Sequence, residues 1–237
     1  MYAAASGMAA QQTNLEVIAD NLANADVAGF KQVAASFIDV NAGGTLGLGT
    51  ASSGKHPIFS QGKLEHSGGP FDVAIDGNGF FRVERAGTHA YTRNGEFSRA
   101  ADGSLRNADG WALRDLRIPA DARSVHVAAD GRVTIDGDAG PNRSIGRLRL
   151  ATFAAPEALR PLGGTVFAAT YESGPEHRID PGQGGPTIAF GMLERSNVSI
   201  VESMMQILTA QRAYEANAKG VQAADEMQRI ANNLNRG

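Results

Sequence analysis

The sequence predicts an α+β protein, with a helix at each end of the chain and a mostly antiparallel β domain between them. Three observations carry that prediction. Apolar residues recur every seven positions near both termini, the middle is punctuated by Asx-Gly pairs, and short alternating apolar runs lie between those pairs.

At the amino end, Met1, Met8, Leu15 and Leu22 keep the seven-residue repeat, with Ala4, Ile18 and Ala25 on the adjoining position. No proline interrupts this stretch, so it predicts a helix with an apolar seam. Gly7 weakens the first turns and Gln11 occupies a seam position, which places the expected start of regular helix near Met8. Asn24, Asp26 and Gly29 supply the stop.

The carboxyl end mirrors this pattern. Ser199 followed by Glu202 forms a capping-box sequence, and Ile200, Ile207, Tyr214 and Val221 again repeat every seven residues. Met227, Ile230 and Leu234 extend the apolar face, and alanines such as Ala210, Ala213 and Ala224 fill the flanks. The predicted helix runs to about Asn235, roughly 55 Å at 1.5 Å per residue. Residues 1–40 and 191–237 are thus expected to form one coiled-coil-like helical core domain.

Between the ends the texture changes. Asp76-Gly77, Asn78-Gly79, Asn94-Gly95, Asp102-Gly103, Asp109-Gly110, Asp130-Gly131 and Asp136-Gly137 are all hairpin signals. Phe71, Val73 and Ile75, then Val125 and Val127, Val133 and Ile135, and Leu148 and Leu150 alternate as half-buried strands do. A β domain over residues 70–190 follows, preceded by a Gly/Ser-rich linker or extended arm over 41–69.

Composition narrows the function. Lys and Arg total 22 against 25 Asp and Glu, a net charge of -3, so no basic surplus is available for a nucleic-acid backbone. Cysteine is absent, which removes thiolate nucleophiles and zinc-thiolate sites. Met1 to Ala10 lacks the basic and continuously apolar regions of a cleaved secretory signal, and no run approaches the ~20 apolar residues that span a bilayer.

The motifs that imitate chemistry have weak contexts. Gly49-Thr50-Ala51-Ser52-Ser53-Gly54-Lys55-His56 resembles a phosphate-binding loop, but His56 replaces the magnesium-binding Ser or Thr. Gly77-Asn78-Gly79 lacks the third glycine of a dinucleotide fingerprint and opens a strand. His56, His66, His89, His126 and His177 include no i,i+4 pair. Asp72, Asp76 and Glu84 could meet as paired carboxylates, although Asx residues beside glycine are usually turn formers. No catalytic, metal or cofactor site is expected.

The terminal seams point instead to assembly. A single seam is marginal against the entropy of ordering its helix, and pairing the two ends still leaves small-residue surface that only other subunits could cover. The ends are therefore expected to become fully helical on polymerisation.

Short motifs agree with this reading. Asn21-Leu22-Ala23-Asn24 with Gly29-Phe30-Lys31, then Phe71 to Phe81, Tyr91-Thr92-Arg93-Asn94-Gly95, Ser196-Asn197-Val198, Gln211 to Glu215 and Asp225-Glu226-Met227 resemble the flagellar rod and hook protein family. Val27 stands where that family usually has Thr, and Asp20 where it often has Asn. The resemblance implies a structural subunit of the basal-body rod. Such a subunit would be exported through the flagellar type III apparatus without signal cleavage and polymerise across the periplasm as a torque-bearing shaft.

Its partners would be further copies and other axial proteins of the rod and hook, with the surrounding ring proteins as further candidates. Within the family, the short Val33 to Phe59 stretch and Gly146-Arg147-Leu148-Arg149-Leu150 look more like the proximal-rod than the distal-rod paralogue. Candidate assembly residues are Met8, Leu15, Ile18, Asn21, Leu22, Asn24, Gly29 and Phe30 at one end, and Ile200, Met204, Ile207, Tyr214, Val221 and Met227 at the other. Two readings from other classes remain: a discrete coiled-coil oligomer, marked by fixed stoichiometry, and a carbohydrate-active β enzyme, marked by a carboxylate pair in a cleft.

Overall fold

The computed structural model describes residues 2–40, 49–137, 140–182 and 184–234. It is α+β, with two long helices and many antiparallel strands. The chain divides into a helical unit of Met1–Ala23, Val33–His56 and Val198–Gly237, and a β unit of Asn24–Gln32 and Pro57–Asn197.

The helical unit holds α1 (Tyr2–Ala23), the paired strands β1 (Val33–Asp39) and β2 (Thr50–Pro57), and α2 (Ile200–Leu234). At the start of α2 the Glu202 N–H donates to Ser199 Oγ at 3.3 Å, the N-cap half of the predicted box. The two helices pack on each other. Gly7 near the start of α1 faces Asn217 midway along α2, while Val17, Ile18 and Asn21 near the end of α1 and Ser203 and Ala210 near the start of α2 are buried. The pair therefore runs antiparallel.

Two sequence expectations change here. Helix α1 begins at Tyr2, not near Met8, because Gly7 serves close packing: a Cβ there would stand 3.1 Å from Asn217 Nδ2. The stretch 41–69 is more than a linker, since β2 pairs with β1 and β3 (Leu64–His66) pairs with the last strand of the β unit. Residues 41–48 of that stretch, and the predicted helix end at Asn235, lie outside the described residues.

In the β unit the order continues β4 (Val73–Asp76), β5 (Phe80–Arg85), β6 (Thr88–Thr92), β7 (Ser98–Arg99), β8 (Ser104–Arg106) and β9 (Ala112–Arg117). Then follow β10 (Ala122–Val127), β11 (Arg132–Gly137), β12 (Gly140–Arg147), β13 (Leu150–Thr152), β14 (Arg160–Gly163), β15 (Val166–Ala168), β16 (His177–Ile179), β17 (Thr187–Phe190) and β18 (Met192–Glu194). The main sheet runs β14-β15-β6-β5-β9-β8-β7, with β13 and β16 attached through β5. A separate sheet holds β10-β11-β12, and β17 pairs with β4 as β18 does with β3.

The core gathers the alternating residues expected from sequence, including Val73, Ile75, Val127, Val133, Leu148 and Leu150, around Phe81, Trp111 and Ile118. A smaller aromatic cluster joins Phe80, Tyr91 and Phe167 to Phe59 and Phe153. Gly103, Gly110 and Gly131 take φ near +78°, as their Asx-Gly turns require. Asp76 to Gly79 is not a hairpin, however, because β4 pairs with β17 and leaves β5 to pair with β6. The β5–β6 hairpin turns instead at Ala86-Gly87, both with positive φ. Asn94-Gly95 also makes no hairpin: a Cβ on Gly95 would lie 1.5 Å from Val73 O, so this glycine permits a close backbone crossing.

Candidate assembly surface

The predicted stripe of α2 keeps Ile207 and Val221 on the side that meets α1, where they are joined by small or polar residues three and four positions away. Ser203 and Ala210 are buried, and Ile207, Asn217 and Val221 are half-buried, on the side that meets α1. Ile200 (43% exposed), Tyr214 (41%), Met204 (53%) and Met227 (65%), all predicted seam or assembly residues, are exposed in the single chain. Ser203, Ala210 and Gly7 are small, which lets the helix backbones approach closely, while Val201, Met204, Met205 and Leu208 lie off that seam. Ile200, Val201, Met204, Met205 and Leu208 thereby form one exposed apolar face, since positions three, four and eight apart share a side of a helix.

On α1, Ile18 and Asn21 are buried and Met8, Leu15 and Leu22 are half-buried. Asn21 ties the helix to β1: its Oδ1 accepts the Val33 N–H and its Nδ2 donates to Val33 O, both at 2.8 Å. A buried amide with both ends satisfied fixes where the chain re-enters the helical unit.

The remaining amino-end candidates belong to the β unit. Asn24 is half-buried, and its carbonyl accepts the Val27 N–H at 3.2 Å. Gly29 is buried with φ +68°, and a Cβ there would meet Asn94 N at 2.3 Å. Its N–H donates to Glu194 O at 2.7 Å, and Phe30 beside it is buried.

Around this point lies a charge cluster that sequence reasoning missed. Lys31 Nζ donates to Glu194 Oε1 at 2.6 Å and to Ser60 O at 2.7 Å, and the Gly62 N–H donates to Glu194 Oε1 at 2.8 Å. Arg93 Nε stands 2.8 Å from Glu194 Oε2 as a close ion pair without hydrogen-bond alignment. The same guanidinium donates through Nη1 to Gly77 O and Gly79 O. Burial pushes the Lys31 ammonium below its ordinary pKa, Glu194 opposes that shift, and Arg93 adds to it.

Asn197 completes the arrangement. Its Oδ1 accepts the Gln32 N–H at 2.7 Å, and its Nδ2 donates to Ile58 O and Ser60 O. The Ile58 N–H in turn donates to Gln32 O at 2.7 Å. One side chain thus staples three segments far apart in sequence. Lys31, Arg93 and Asn197 each sit inside a short motif quoted above, whereas nothing in the local sequence singles out Glu194.

The imitative motifs resolve as ordinary structure. Thr50 to His56 of the phosphate-loop-like stretch lies in β2. Asp72 accepts from Ser67, Asp76 from Gln61 and Glu84 from Arg114, so each carboxylate has its own partner. Among the described residues no group of His, Cys, Asp or Glu could hold a metal, and no helix is long and apolar enough to cross a membrane.

Comparison with known proteins assigns this architecture. Residues 1–31 match the family described as Flagella basal body rod protein, 74–135 the Flagellar hook protein FlgE/F/G D1 domain, and 190–234 the Flagellar basal body rod FlgEFG protein C-terminal. The chain is 39% identical to the flagellar basal-body rod protein FlgG of Agrobacterium fabrum, over 96% of this chain and 95% of that protein. It is 36% identical to FlgG of Borreliella burgdorferi over 100% and 98% of the two chains. Against FlgF of Mesorhizobium japonicum the identity is 33%, over 92% and 90%.

Proposed function

This chain belongs to the flagellar basal-body rod proteins, structural subunits rather than enzymes, and we propose that it polymerises through its two terminal helices as a coiled-coil-like core. The polymer is the periplasm-spanning drive shaft, built from copies of this chain and related axial proteins after export by the flagellar type III apparatus without signal cleavage. The surrounding ring proteins are its outer contacts.

The observation that carries this reading is the exposed apolar face of α2, where Val201 is 70% and Met205 63% exposed on turns already packed against α1 on another side. Such a surface is costly in water and marks an interaction site. The short Val33 to Phe59 stretch supports a proximal position along the rod.

A small tag at Tyr171, a fully exposed residue of the β unit, provides the test. Labelling the tag in isolated basal bodies should decorate the rod, toward its inner-membrane end. Label confined to the hook, to the rings or to material outside the basal body would refute the reading.

A further inference from the structure

We infer that Asn78 is a site of spontaneous side-chain amide hydrolysis, and that the fold directs this chemistry to Asn78 while withholding it from Asn94. These two are the asparagines of the chain that precede glycine. The reaction is intramolecular. The backbone nitrogen of the glycine loses its proton and attacks the asparagine Cγ, so a ring C–N bond forms while the bond from Cγ to the amide nitrogen breaks and ammonia leaves. Water then opens either ring carbonyl, giving aspartate or, when the former backbone carbonyl is the one cleaved, isoaspartate. Glycine suits the nucleophile because it has no Cβ to crowd the approach.

The identical dipeptides sit in unlike surroundings. Asn94 is half-buried, its Oδ1 accepts the Glu96 N–H at 2.8 Å, and its own N–H donates to Thr92 Oγ1 at 3.0 Å. Gly95 lies close against Val73 O, and its carbonyl accepts the Val73 N–H at 3.1 Å. Bringing the Asn94 amide over Gly95 N means breaking these bonds against a fixed backbone.

Asn78 is exposed, and among the described residues neither its side-chain amide nor the Gly79 N–H has a hydrogen-bond partner. Arg93 Nη1 holds the carbonyls on either side, Gly77 O and Gly79 O, both at 2.8 Å. The peptide between Asn78 and Gly79 is thereby left as the free link. Asn78 also lines a cavity of about 270 Å³ with Phe59, Phe80, Arg93 and Phe153, ample room for the attacking water.

The same cavity favours the aspartate product, because a carboxylate at position 78 shares it with the Arg93 guanidinium and a nearby cation stabilises the ionised acid. Isoaspartate behaves differently. It inserts a methylene into the backbone between the two carbonyls that share Arg93 Nη1, which loosens that grip. Amide hydrolysis does not reverse in water, so both products accumulate as the chain ages.

The full-length chain, held in mildly alkaline buffer and sampled over days, provides the test when run folded and, in parallel, in urea. Tryptic cleavage after Lys63, Arg82, Arg93 and Arg99 puts the two asparagines on separate peptides, and mass spectrometry reads the conversion of amide to acid in each. In urea the two should react at similar rates. In the folded chain Asn78 should react several-fold faster than Asn94, and isoaspartyl methyltransferase should label the peptide of residues 64–82. Asn78→Ser should remove that label without lowering the melting temperature. Folded protein in which Asn94 reacts as fast as Asn78, or in which neither reacts over a period that converts the unfolded chain, would overturn the inference.

Discussion

Lys31 Nζ lies 2.6 Å from Glu194 Oε1, and neither side chain has any solvent exposure. The two residues are 163 positions apart in the chain, so this ion pair holds its entry into and exit from the β unit together. Replacing Glu194 with Gln keeps the shape but leaves the Lys31 and Arg93 cations facing a neutral amide. Breaking a buried pair in this way costs about 3–5 kcal/mol, and denaturant unfolding of Glu194→Gln should show that loss. Adding Lys31→Met should recover part of it, since the two positions are coupled. A Glu194→Gln midpoint indistinguishable from the parent would mean the pair is not a stabilising element.

Asp102 titrates in the opposite setting, at the surface. The Ser104 hydroxyl and backbone N–H, reinforced by Arg106, hold its carboxyl down at about 2 from an ordinary 3.8. Asp130 and Asp136 are lowered in the same way by backbone N–H groups of Arg132 and Asn142. A carboxyl that is more acidic when folded binds fewer protons there than in the unfolded chain. Its stabilisation is therefore complete above the unfolded value and is lost as pH falls toward the folded one. Thermal melts should drop progressively between about pH 4 and pH 2, and Asp102→Asn should flatten that acid limb. An unchanged acid profile for the variant would remove Asp102 from the account.

Gly62 donates its N–H to Glu194, and a Cβ on it would come within 1.9 Å of Arg195 O. Gly62→Ala should destabilise the β unit by about 3 kcal/mol or more, because a backbone carbonyl cannot swing aside as a side chain can. Gly68→Ala, six positions on and with open space around it, is the matched control and should be close to neutral. Equal melting temperatures for the two variants would contradict the packing described here.

The legible and illegible parts of this protein separate by range. Heptads, Asx-Gly pairs and alternating strands are local signals, and they yielded both helices, the β unit and part of its core, including Val73, Ile75, Val133 and Leu150. Register is not local. How deeply Ile207 or Tyr214 is covered depends on what lies opposite, and the approach of Gly7 to Asn217 is a contact that no local pattern marks. Strand partners were hidden for the same reason: Asp76-Gly77 is a turn signal, yet β4 finds its partner in β17, more than a hundred residues on. Glu194 was invisible because an acidic residue before a helix has no local mark of burial; only Lys31 and Arg93, from distant segments, make it a buried anion. The short motifs that suggested the family were informative because Lys31, Arg93 and Asn197 all converge on that cluster.

Sedimentation velocity across a concentration series, comparing the parent chain with Val201→Asp/Met205→Asp, tests the proposed assembly most directly. Both substituted side chains are exposed in the single chain, so helicity by circular dichroism at concentrations where both proteins are monomeric should be unchanged, while a charge buried between copies would be uncompensated. The parent should form ever-larger species as concentration rises, and the variant should remain monomeric. A parent that stays monomeric throughout, or a variant that polymerises equally well, would show that this face of α2 does not build the rod.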